Sequence, residues 1–218
     1  RSPNQRYSSV KLSPNNDFIL ATHRNADAWV LKTGSGELAF TLQGHTGYIE
    51  CESYSPDGRW IATGAQDSTA MLWDAKDGKP IRRFIGHQGI IRALAFSPDG
   101  KFLATLSYDN TAKIWETATG KLFRTIEIDV CHEIGNEIQF SPDGKLISIL
   151  CLGYFNGQEH ISLWSTETGA KVRVLEGYSF CFSPDGKWVC LFKEAKAFVY
   201  ASDNLDGVPF RTFQATIP

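Results

Sequence analysis

Two sets of residues in this chain could do chemistry. His45, Thr63 and Asp67 recur as His87, Thr105 and Asp109, with the threonine 18 and the aspartate 22 residues after each histidine. An imidazole, a hydroxyl and a carboxylate are the parts of a nucleophilic relay, in which the ring takes the hydroxyl proton and the carboxylate orients the ring. Duplication argues against that use. A catalytic centre is one cleft with one nucleophile and one oxyanion site, whereas a set repeated at fixed offsets is a device of the scaffold. The chain also carries no nucleophile elbow, no phosphate-cradling glycine loop and no HExxH pair. No catalytic residue is assigned, a non-enzymatic chain is expected, and no cofactor is implied.

Metal chemistry is equally unsupported. The five cysteines, Cys51, Cys131, Cys151, Cys181 and Cys190, include no CxxC pair, and Cys131-His132 has no second ligand pair nearby to complete a four-ligand site. No metal ligand is assigned. Buried free thiols in a reducing, cytoplasmic compartment are the expectation.

The elements that must hold the duplicated set repeat as well. Ser-Pro-Asp-Gly stands at 55–58, 97–100, 141–144 and 183–186, with a looser copy, Ser13-Pro14-Asn15-Asn16, ahead of them. The steps are 42, 42, 44 and 42 residues. Proline presets φ, aspartate caps the turn and glycine supplies the positive φ. Around the third copy lie a strand at 91–96, a second at 102–106, a third at 112–115 and a fourth at 122–126. Four short strands per repeat joined by hairpin turns make an antiparallel meander. Such a sheet is marginal alone and becomes stable by stacking radially on others.

With Gly44-His45 leading to Thr63, Asp67 and Trp73-Asp74, and Gly86-His87 to Thr105, Asp109 and Trp115-Glu116, the chain resembles the WD-repeat propeller family. The resemblance implies an all-β propeller of five four-stranded blades, at about 6–44, 45–86, 87–128, 129–176 and 177–215, within one domain, 1–218. It also implies a structural hydrogen-bond chain through His45, Thr63, Asp67 and Trp73, and through His87, Thr105, Asp109 and Trp115. The other copies depart from the pattern. Trp29 falls early; Cys131-His132 replaces Gly-His before Trp164, with the run 153–158 lengthening a turn; Gly177-Tyr178 stands where Gly-His would fall. These blades are expected to be held by packing alone.

In that family partners dock on the face carrying the fourth-to-first and second-to-third strand loops. Alternation along the first strands, and position at turn tips, assigns Tyr48, Glu50, Gln66, Ile90, Arg92, Tyr108, Tyr154 and Phe155 to it. Aromatic residues with arginine are the composition of an interface hot spot. The partner expected is a protein or peptide. A TolB-like or peptidase-associated propeller, docking or gating beside a hydrolase, is the alternative; the duplicated His-Thr-Asp-Trp set favours the WD-repeat reading. Arg82-Arg83 reads as a solvated strand edge. Glu52, where the third copy has Leu94, is expected to face a channel or a salt partner.

Composition bounds the partner further. The 22 Lys+Arg against 24 Asp+Glu leave a net charge of −2, too balanced for a nucleic-acid or membrane-surface role. No apolar run approaches the ~20 residues of a membrane span. The chain begins at Arg1 and its one methionine is Met71. Five blades of this period leave no strand over to interlock a ring, so the expectation is part of a larger propeller, most commonly seven-bladed, completed by further blades of a longer chain, rather than a closed ring of five.

Overall fold

The computed structural model describes residues 7–23, 25–128, 133–152, 159–202 and 209–214. Among them there is no helix, and the strands form five antiparallel sheets of four, each a meander in chain order. The first sheet is β1 (Tyr7–Leu12), β2 (Phe18–His23), β3 (Ala28–Lys32) and β4 (Leu38–Leu42). The second is β5 (Ile49–Tyr54), β6 (Trp60–Ala65), β7 (Ala70–Asp74) and β8 (Pro80–Phe84). The third is β9 (Ile91–Phe96), β10 (Phe102–Ser107), β11 (Thr111–Glu116) and β12 (Leu122–Glu127). The fourth is β13 (Glu133–Phe140), β14 (Leu146–Leu152), β15 (His160–Ser165) and β16 (Lys171–Glu176), and the fifth is β17 (Ser179–Phe182), β18 (Trp188–Lys193), β19 (Lys196–Ala201) and β20 (Arg211–Gln214). This is the all-β, five-bladed architecture expected.

The chain divides into two compact units, Arg1–Glu127 and Ile128–Pro218. In the first unit, Leu20, Val30 and Leu42 of the first sheet pack against Ile61, Met71 and Trp73 of the second. Ala62, Leu72 and Phe84 on the other face of the second sheet pack against Leu94, Phe96, Leu103 and Trp115 of the third. In the second unit, Ile161, Leu163 and Leu175 meet Phe180, Val189 and Leu191. Middle strands of the second, third and fourth sheets are therefore buried on both faces: successive residues Leu103 and Ala104 are both fully buried. Fourth strands are not, and Leu122 and Phe123 of β12 remain exposed.

The repeated tetrapeptide closes the first hairpin of each blade. Ser55 Oγ donates to Asp57 Oδ1 at 2.6 Å and accepts from the Trp60 amide at 2.9 Å, while the Asp57 carboxylate takes the Arg59 amide. Gly58 sits at φ +71°, where a side chain is strained. The same bonds recur around Ser97, Ser141 and Ser183. In the looser first copy Asn16 takes the glycine position at φ +61°, a conformation asparagine tolerates better than most residues.

Two expectations change. Cys51, Cys181 and Cys190 are thiols, but Cys151 is disulfide-bonded. Arg82 and Arg83 are not merely solvated. Arg82 Nη2 donates to the Ala118 carbonyl in the third sheet at 2.9 Å, and Arg83 Nη2 donates to the Gly44 carbonyl. A long cationic side chain can cross to a neighbouring blade and satisfy a loop carbonyl there, which strand alternation alone does not reveal.

Candidate functional site

His45 and His87 lie just ahead of β5 and β9, on the segments that enter the second and third blades. Thr63 and Thr105 lie in the middle of β6 and β10, and the aspartates in the turns that follow those strands. The geometry fixes the direction of each hydrogen bond. The Trp73 indole can only donate, and does so to Thr63 Oγ1 at 2.8 Å. The Asp67 carboxylate can only accept, so the proton lies on His45 Nδ1, 2.9 Å from Asp67 Oδ2. The one hydroxyl proton of Thr63 is left to point at His45 Nε2, 2.8 Å away. The third blade repeats the chain with Trp115, Thr105, His87 and Asp109 at 2.9, 2.8 and 2.8 Å.

Every polar atom in this relay is occupied, and both histidines and both threonines are buried. Burial pushes the His45 and His87 imidazoles below their ordinary value of 6.5, against the pull of the aspartates. Burial pushes Asp67 up, but the Thr46 amide, the Thr69 hydroxyl and His45 more than offset it and hold it at about 2. Asp109 is held low in the same way by Gln88, Thr111 and His87. A neutral imidazole facing an ionised carboxylate, closed off by an indole, orients nothing toward a substrate. It ties the entry loop of a blade to its second and third strands.

Several contributors escaped the sequence reading although they recur at fixed offsets. Thr69 and Thr111 bond the network aspartates through their hydroxyls at 2.7 Å. Gly47 and Gly89 let the entry loop touch the turn: a Cβ would stand 2.6 Å from the Asp67 amide nitrogen in one and 2.8 Å from that of Asp109 in the other. Arg83 Nη1 lies 3.8 Å from Asp67 Oδ2. In the fourth blade, which has Ile149 where Thr63 would fall, the Trp164 indole instead donates to Ser162 Oγ at 2.8 Å.

Of the residues assigned to partner binding, Tyr48, Glu50, Gln66, Ile90, Arg92 and Tyr108 lie at one end of the second and third sheets. Arg92 Nη1 donates to Glu50 Oε2 at 2.6 Å, and Gln66 Nε2 donates to Glu50 Oε1 at 2.6 Å. The Arg92 guanidinium lies 5.2 Å from the centroid of the Tyr108 ring. Tyr48 and Tyr108 are 49% and 43% exposed, and Ile90 is half-buried. Tyr154 and Phe155 lie outside the described residues, as do Cys131 and His132. Glu52 lies 5% exposed, accepting from Thr22 Oγ1 at 3.2 Å, and its Oε1 makes no hydrogen bond of normal geometry. Burial pushes its carboxyl above the ordinary value, with Ser9, Thr22 and Lys11 pulling it back. Among the described residues no group of three or more His, Cys, Asp and Glu side chains converges as a metal site. No helix among the described residues is long and apolar enough to cross a membrane.

Comparison with known proteins matches the same two blades. The family model "WD domain, G-beta repeat" matches residues 36–74 and 78–116. The human serine-threonine kinase receptor-associated protein is 35% identical over 71 residues, covering 33% of this chain and 20% of that protein. The small ribosomal subunit protein RACK1 of Caenorhabditis elegans is 38% identical over 74 residues, 33% of this chain and 23% of that one. The MST50-interacting protein 11 of Pyricularia oryzae is 39% identical over 74 residues, with the same shares. The chain thus spans a fifth to a quarter of the length of these relatives. Residues 36–74 and 78–116 are thus two WD-type repeats, matched by the family model and carrying the same indole–hydroxyl–imidazole–carboxylate chain.

Proposed function

We propose that the chain is a non-enzymatic interaction scaffold that presents one end of its blades to a protein or peptide partner. The carrying observation is the cluster built on Glu50, which takes Arg92 from the next blade and Gln66 from its own. Arg92 is thereby held against Tyr108, and the ring of Tyr48, two residues before Glu50, is exposed. Aromatic rings and an arginine fixed before contact lose little freedom on binding, which is how hot spots are built. Ile90 completes the proposed surface, and the five sheets are read as blades of one propeller domain in the cytoplasm. The printed names of the relatives, receptor-associated, ribosomal-subunit and MST50-interacting, support a role in protein association.

The test is capture from a native lysate by the immobilised chain and by a Tyr48→Ala, Arg92→Ala, Tyr108→Ala variant, with circular dichroism of both. Loss of retained proteins with unchanged folding supports the surface. Equal capture by both proteins, or an unfolded variant, removes it.

A further inference from the structure

A cleft of about 440 Å³ opens between the first and second sheets at the far end of β5 from Tyr48 and Glu50. Ser13, Asn15 and Phe18 line one side, and Tyr54, Arg59, Trp60, Asp74 and Lys76 the other. Its counterpart between the fourth and fifth sheets has the same framework, with Ser141, Asp143, Leu146, Phe182 and Ser202 at the matching repeat positions. What sets the first cleft apart is three departures from the repeat, all facing one space.

The residue before the turn serine is phenylalanine in the last three copies, Phe96, Phe140 and Phe182, and tyrosine here. The Tyr54 hydroxyl is buried and has no hydrogen-bond partner, and burial alone pushes it up to about 12. A buried hydroxyl without a partner is destabilising relative to phenylalanine, so packing does not account for it. The residue after the turn glycine is a lysine in those copies. Lys101, Lys145 and Lys187 each pair with the aspartate of their own turn, at 3.1, 3.4 and 3.9 Å. Arg59 forms no such pair with Asp57; its guanidinium lies 5.5 Å from the centroid of the Trp60 ring. Lys76 stands where the other copies have Gly34, Ala118, Glu167 and Asp203; Asp77 beside it pairs with Lys79 at 2.6 Å and feels the Lys76 charge only at longer range. Asp74, the one carboxylate in the lining of the second blade, already accepts from the Lys76 amide at 2.8 Å.

We propose that this cleft is a second docking site, taking an acidic segment of a partner protein that inserts one apolar side chain between Phe18 and Trp60. The carboxylates of the segment meet Arg59 and Lys76, and its entry opens the Tyr54 hydroxyl, closed to solvent in the free chain, to an oxygen of the segment. Charge complementarity selects this occupant: two cations that act on Asp57 and Asp77 only at longer range, beside aromatic walls, fit an acid next to an apolar group. The site is independent of the Glu50 cluster, at the opposite end of the strand.

The probes are two pools of acetylated, amidated hexapeptides, each with one aromatic residue, flanked by Asp and Glu in one pool and by Asn and Gln in the other. Saturation-transfer NMR against the 218-residue chain is expected to favour the acidic pool about tenfold. Arg59→Gln with Lys76→Gln abolishes that preference, Tyr54→Phe weakens it, and Arg92→Ala leaves it intact. Equal signals from the two pools, no signal from either, or a preference that survives in the double variant overturns the proposal. Displacement of the acidic pool by equimolar inorganic phosphate also overturns it, because a bare anion site needs no segment. In the free chain Tyr54→Phe is expected to raise the melting temperature by about 2–4 °C. A fall instead gives the hydroxyl an internal role and removes the argument.

Discussion

Arg92 and Glu50 lie one repeat apart, 42 residues, and their side chains meet at 2.6 Å across the boundary between the second and third blades. The matching positions of the second and third blades thus carry opposite charges that meet. Both side chains are partly exposed, at 28% and 22%, so solvent screens the pair. Arg92→Ala and Glu50→Gln are each expected to cost less than about 1 kcal/mol, with a coupling of about 0.2–1 kcal/mol in a double-mutant cycle. A coupling of zero in urea denaturation would mean that the pair does not hold Arg92 over Tyr108.

Thr63→Val keeps the shape of the side chain and removes its oxygen. It leaves the Trp73 indole without an acceptor and His45 Nε2 without a donor, both buried. A loss of about 1–3 kcal/mol is expected for this variant and for Asp67→Ala, read as a melting temperature lower by about 2–4 °C per kcal/mol. Thr63→Ser retains the hydroxyl and should recover most of the loss. Unchanged melting for both Thr63→Val and Asp67→Ala would remove the network from the stability of the blade.

Acid should weaken the fold in two stages. The folded imidazoles of His45 and His87 hold a proton less tightly than the ordinary 6.5 of the unfolded chain. Below that value the unfolded state takes up protons first, and stability falls with pH. The carboxyl of Asp67, ordinarily at 3.8 and held here at about 2, adds a second loss as pH drops from 3.8 toward 2. Thermal melts from pH 8 to 3 should show a decline starting near 6.5. Replacing both histidines by asparagine should flatten that first stage; a decline that persists would assign it to other groups.

Glu52 carries the opposite sign. Its folded carboxyl lies above the ordinary 4.5, so the folded state binds the extra proton and stability falls as pH rises above 4.5. Glu52→Gln is expected to melt higher than the parent chain at pH 8, with the difference shrinking toward pH 4. A variant less stable at both values would show that the ionised carboxylate is held by a partner that compensates its burial.

The sequence by itself determined the blade and its count. Turn chemistry is local: Ser55, Asp57 and Gly58 make their bonds within five residues, so a period in the sequence is a period in the structure. The indole–hydroxyl–imidazole–carboxylate chain was legible for the same reason, since identical offsets in two copies demand one geometry. Tertiary structure alone decided what happens between blades. Arg82 reaching Ala118, Glu52 buried against Thr22, and Tyr54, Arg59 and Lys76 converging on Phe18 all join residues of different repeats. No spacing rule couples such residues, because their contact depends on how two sheets pack face to face. A repeat fixes what the copies share; the places where a copy departs acquire meaning only when packing brings the departures together.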